Sequence, residues 1–94
     1  MEWKEVKGRQ DKGDIRVFAL STCIWCQKAK NLIETSHVTY KFVYVDHLDG
    51  AEREEALEQM QKYTTNVSFP VVVIDDETVI QGFKEEEIRS AIGV

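Results

Sequence analysis

The chain has two cysteines only, Cys23 and Cys26, and they stand three positions apart in the stretch Ser21-Thr22-Cys23-Ile24-Trp25-Cys26. Before them, residues 15–20 form an almost unbroken apolar run that reads as a strand. After them, Cys26, Ala29, Leu32 and Ile33 recur at helical spacing, while Gln27, Lys28, Lys30, Asn31 and Glu34 fall on the other side, so a helix is expected over 24–36. Cys23 is thereby placed at or beside the first turn of that helix, where unpaired backbone N–H groups and the helix dipole favour an anion. A thiolate is such an anion, and it is the thiolate that attacks a disulfide. Cys26, one turn further on, is placed to attack the resulting mixed disulfide and release the substrate. The stretch reads as a dithiol redox centre.

Ninety-four residues, 43% of them hydrophobic, allow one modest core and no second domain. Two cysteines this close do not staple a small secreted fold. The start of the chain lacks a basic and then apolar leader pattern, and no apolar run approaches the length of a membrane span, so a cytoplasmic protein is expected. In that reducing compartment a Cys-x-x-Cys pair is catalytic or metal-binding rather than structural. His37 and His47 would have to complete a metal site, but their spacing lies outside zinc-finger patterns and no metal is expected. A net charge of −5 without a basic patch argues against nucleic acid.

Residues 1–14 are polar apart from Trp3 and Val6 and read as an N-terminal arm, which these two side chains would anchor as a short edge strand. The domain proper is expected over 15–94. A second strand is expected over 39–46, rich in aromatic and β-branched residues, and a second helix from Gly50 to about Tyr63 on the stripe Ala56, Leu57, Met60 and Tyr63. Residues 71–74 and 78–81, joined by Asp75-Asp76-Glu77, read as a hairpin. A last helix is expected from about Lys84 on Ile88, Ala91 and Ile92. The predicted order is β-α-β-α-β-β-α, an α/β fold with a four-stranded mixed sheet whose first two strands are parallel.

A Cys-x-x-Cys pair between strand and helix, a lone Pro70 before the third strand, and Gly82 between the fourth strand and the last helix together resemble a glutaredoxin, a family of thioredoxin fold. The resemblance covers most of the chain and leaves the arm aside. It implies a cis Phe69-Pro70 bond beside Cys23. It also implies that the backbone before Pro70 receives an extended peptide or glutathione as a short antiparallel strand. Trp25, Phe69, Pro70 and Gly82 would then be the substrate-binding residues around the thiolate.

The motifs differ from those usual in the family. Ile24 and Trp25 replace Pro and Tyr between the cysteines, Ser68-Phe69-Pro70 replaces Thr-Val-Pro, and Gly82-Phe83 replaces Gly-Gly. Family members that use glutathione hold its carboxylates with cations near the cysteines and before the proline. Here residues 64–69 contain no cation, and Glu85, Glu86 and Glu87 crowd the opening of the last helix. The expected function is that of a monomeric thiol-disulfide oxidoreductase that reduces protein or small-molecule disulfides. It needs no cofactor beyond its own Cys23–Cys26 disulfide, and a dedicated reductase or a thiol other than glutathione would re-reduce it. The alternative is a glutaredoxin-type dimer carrying a [2Fe–2S] cluster, which would need external thiols. Lys28 and Lys30 read as solvated helix-surface residues and stay outside the site.

Overall fold

The sheet is built from apolar runs that are buried on both faces. In the computed structural model, which describes residues 1–94, β2 (Ile15–Ala19) lies at its centre, and its side chains alternate between two cores. Val17 and Ala19 face one cluster, and Phe18 faces the other. The same alternation divides β4 (Val71–Ile74), with Val72 and Ile74 on one side and Val71 and Val73 on the other. Two-sided burial explains why neither strand shows a polar alternation.

Helices α1 (Ile24–Thr35) and α3 (Glu85–Ile92) cover the first face with Cys26, Ala29, Ile33, Ile88 and Ile92. Helix α2 (Gly50–Gln61) covers the second with Ala56 and Met60. β3 (Tyr40–Tyr44) runs parallel to β2, and β5 (Thr78–Gln81) closes an antiparallel hairpin with β4. Asp75 and Asp76 take φ of 52° and 61° in that turn, a conformation that aspartate tolerates better than most residues. None of the three helices is long and apolar enough to cross a membrane.

The strand count corrects the sequence reading: the sheet has five strands, in the order β1-β3-β2-β4-β5. The fifth comes from the arm, where β1 (Lys4–Val6) pairs antiparallel with the outer edge of β3. Trp3 meets the Phe18 ring edge-on at 5.0 Å, and the Arg16 guanidinium lies 5.8 Å from the Trp3 ring. Gly8 is needed where the arm crosses the end of α1, because a side chain there would sit 2.4 Å from the His37 carbonyl oxygen. The second strand is also shorter than expected, since Val45–His47 turn into a single 3-10 turn.

Candidate active site

Helix α1 starts where β2 ends, and Cys23 itself is the N-cap. Its extended backbone (φ −94°, ψ 116°) lets Sγ accept the Cys26 N–H at 3.2 Å, so the sulfur occupies the position usually held by a serine or aspartate oxygen. Both cysteines are free thiols; Cys23 is half-buried and Cys26 has no exposed surface. The backbone closes around them through the Cys23 N–H, which donates to the Leu20 carbonyl at 3.3 Å, and the Leu20 N–H, which reaches Cys26 Sγ at 3.5 Å.

The two thiols are chemically distinct. Burial, and next the hydrogen bond with Cys23, push the Cys26 thiol from 9.0 up to about 12, against the opposing effect of the Leu20 amide. A thiol whose pKa rises on folding stabilises the fold fully below its unfolded pKa, and this contribution is lost as the pH climbs through the folded value. The reduced protein is therefore expected to lose stability between about pH 9 and pH 12. The Cys23–Cys26 disulfide form lacks this contribution and should decline less, because the raised Tyr40 and Tyr63 phenols, common to both forms, still act in that window. Thermal midpoints of both forms across that window check this, and parallel declines would contradict it.

Beside the motif the structure brings together Trp25, Phe69 and Gly82, and Cys23 packs on the same core as Phe69 and Phe83. Trp25 is 53% exposed and stacks on Phe83 at 6.1 Å and 25°, with Lys28 Nζ 4.9 Å from the indole centre. Lys28 thus stays at the surface but touches the rim. Trp25, Phe69, Gly82 and Phe83 line an open cleft of about 280 Å³. Pro70, which follows the cleft-lining Phe69, is buried, and the Phe69-Pro70 bond is cis, as the resemblance implies. Gly82 has φ +92°, its N–H donates to the Pro70 carbonyl at 2.7 Å, and the space beyond its Cα is open. The N–H and C=O of Phe69 make no hydrogen bond within the chain.

Lys30 departs from the sequence reading. It is 8% exposed, with Nζ 2.6 Å from the Tyr44 hydroxyl and 3.8 Å from the centre of the Phe42 ring. Burial raises the Tyr44 phenol, and the hydrogen bonds from Lys30 and Gln27 outweigh it, leaving it below its ordinary value. The aliphatic stem lets a lysine bury against aromatic faces, so the ammonium braces α1 against β3. Its position four residues after Cys26, on the buried stripe, is the signal that marks it. At the opening of α3, Glu85 pairs with Arg89 at 3.1 Å and Glu87 with Lys84 at 3.9 Å, while Glu86 has no partner. His37 and His47 lie apart from the cysteines, and no group of three metal-ligating side chains comes together.

The comparisons with known proteins agree with this geometry. The sequence matches the family model for glutaredoxin over residues 15–79. It is 31% identical over 78 residues to a glutaredoxin-like 8.6 kDa protein in the rubredoxin operon of Clostridium pasteurianum, spanning 83% of this chain and 96% of that one. Among solved structures it is similar to the glutaredoxin of Methanosarcina mazei Go1, at 44% identity and TM-score 0.89 over 98% of this chain and 88% of that one. It is also similar to Methanosarcina acetivorans methanoredoxin, at 42% identity and TM-score 0.86 over 89% and 88% of the two chains.

Proposed function

The chain belongs to the glutaredoxin family, and we propose that it is a cytoplasmic dithiol oxidoreductase that reduces disulfides with Cys23 as nucleophile and Cys26 as resolving thiol. The observation that carries this reading is the asymmetry of the pair. Cys23 caps the helix and keeps part of its surface exposed two residues before the cleft-lining Trp25, whereas Cys26 is enclosed and held as a thiol one turn further on.

Cys23 Sγ attacks one sulfur of the substrate disulfide; that bond breaks, and the other substrate sulfur leaves as a thiolate that takes up a proton. The Cys26 sulfur then attacks Cys23 Sγ, giving up its proton to the second departing substrate sulfur. Two electrons pass from the dithiol to the substrate, and the protein is left as the Cys23–Cys26 disulfide. The unpaired amide and carbonyl of Phe69 suit an extended segment lying beside Pro70, and Trp25 and Phe83 wall the approach. Because one chain supplies both sulfurs, a monomer suffices. Anaerobic mixing of the reduced protein with a disulfide peptide tests the assignment. One peptide disulfide should be consumed per chain, with Cys23 linked to Cys26 in the peptide map; recovery of both thiols unchanged would contradict it.

The electron donor on this reading is a dedicated reductase or a thiol other than glutathione. The segment 64–69 has no cation and α3 opens with three glutamates, which oppose an incoming carboxylate at short range. Glu86→Lys is expected to raise kcat/KM with glutathione by about two- to fivefold at low salt, and the gain should fade as ionic strength rises. Turnover of the unaltered protein with glutathione and glutathione reductase that equals its turnover with a dithiol would overturn the donor assignment. The cluster-carrying alternative draws its extra thiols from glutathione in this family, so the same features weigh against it.

A further inference from the structure

The turn between β2 and α1 is held from outside the motif. Ser21 lies in that turn, and its N–H donates to Asp46 Oδ1 at 2.9 Å while its hydroxyl donates to Asp46 Oδ2 at 2.5 Å. Asp46 belongs to the 3-10 turn that follows β3, 25 residues away in the chain. We propose that Asp46 is a positioning residue of the dithiol site, its carboxylate fixing the turn from Leu20 to Cys23 so that Cys26 stays in line to resolve the mixed disulfide. This inference rests on the dithiol reading above.

One end of the turn touches the Cys26 sulfur, and the other carries that of Cys23. Leu20 contributes the N–H that reaches Cys26 Sγ, and it also supplies the carbonyl that takes the Cys23 N–H. Between these contacts, Ser21 presents a backbone N–H that neither β2 nor α1 uses. Asp46 takes that N–H and the neighbouring hydroxyl with its two oxygens, a two-point grip that restrains rotation as well as displacement. The Ser21 hydroxyl and amide hold the Asp46 carboxyl below the usual carboxylate range, so it is ionised, and the grip formed, at neutral pH. Parallel pairing of Ala19 with Tyr44 sets β2 and β3 in register, and the registered strand ends bring Ser21 and Asp46 together. His47, whose Nε2 lies 3.9 Å from the carboxylate, is too far away to compete for it.

Loss of the Asp46 grip should affect the two chemical steps unevenly. Attack by Cys23 depends on the helix cap and the cleft, whereas resolution depends on how the two sulfurs are placed relative to each other. Single-turnover reactions of the full chain with a disulfide peptide, quenched with acid and resolved by mass, give the decay rate of the mixed disulfide. Iodoacetamide alkylation of Cys23 reports the first sulfur alone. In Asp46→Ala the mixed disulfide should decay about five- to tenfold more slowly, with alkylation changed by less than about twofold. Asp46→Asn keeps an acceptor for the Ser21 N–H and should recover most of that loss. Ser21→Ala keeps the charge and one of the two bonds and should slow decay by about two- to fourfold. Decay at the unaltered rate in Asp46→Ala or Ser21→Ala would overturn the proposal. So would a fall in alkylation that matches the fall in resolution, which would reveal only a general loosening. If the unaltered protein forms no mixed disulfide at all, the dithiol reading itself fails, an outcome distinct from these.

Discussion

Replacing Cys23 with serine should abolish disulfide reduction, with a loss of about a thousandfold or more, because a hydroxyl at the helix cap is not a nucleophile toward sulfur at neutral pH. Cys26→Ser should behave differently. The nucleophile and the cleft remain, the first exchange proceeds, and no second thiol displaces the substrate. A stoichiometric mixed disulfide with Cys23 should therefore accumulate, visible as one substrate fragment added to the intact mass. This contrast follows from the half-buried cap position of Cys23 and the enclosed, raised-pKa thiol of Cys26. If Cys26→Ser turned over at the full rate, the protein would be running on one thiol, and the role given to Cys26 would be wrong.

Phe18→Ala should produce the largest loss of stability. Phe18 is 1% exposed in the central strand and belongs to the core beneath α2 with Val43, Met60 and Val71, while Trp3 meets its ring. Truncating a buried phenylalanine removes its transfer energy and leaves a cavity, a cost of about 3–5 kcal/mol. A single domain has roughly 5–15 kcal/mol in total, so much of the margin disappears. Urea unfolding followed by fluorescence checks this, since Trp3 lies against the altered site. A destabilisation below about 1 kcal/mol would mean that the second core is not packed around this ring. Leu57→Ala, at the half-buried margin of α2, should cost far less.

Most of the architecture was legible because it rests on local signals. The cysteine pair marks the start of α1, and the run Val71–Ile74 with its acidic turn marks the hairpin to the residue. What the sequence concealed depends on choice of partner. β1 is three residues long, too short to show a period, and only the free edge of β3 tells the arm where to pair. Lys30 reads as polar by type, yet its methylene stem and ammonium suit an aromatic shelf formed by Phe42 and Tyr44 on another element. Asp46 sits at the end of the strand expected over 39–46, where nothing in its type marks a partner. Its grip on Ser21 comes from the register of two parallel strands, which no spacing in the chain records. The stack of Trp25 on Phe83 is hidden for the same reason, since the two rings are brought together by the packing of α1 near the β5–α3 junction.

Cys23 and Cys26 should behave as a reversible dithiol couple, which an anaerobic redox titration shows or refutes. The protein is equilibrated across dithiol buffers, and its accessible thiols are counted under denaturing conditions by alkylation and mass. One transition of about 30 mV per tenfold change in ratio is expected, as a two-electron couple requires, with the alkylated count passing from two thiols to none. Two thiols at every potential, or a transition that does not reverse, would show that the pair is no redox centre.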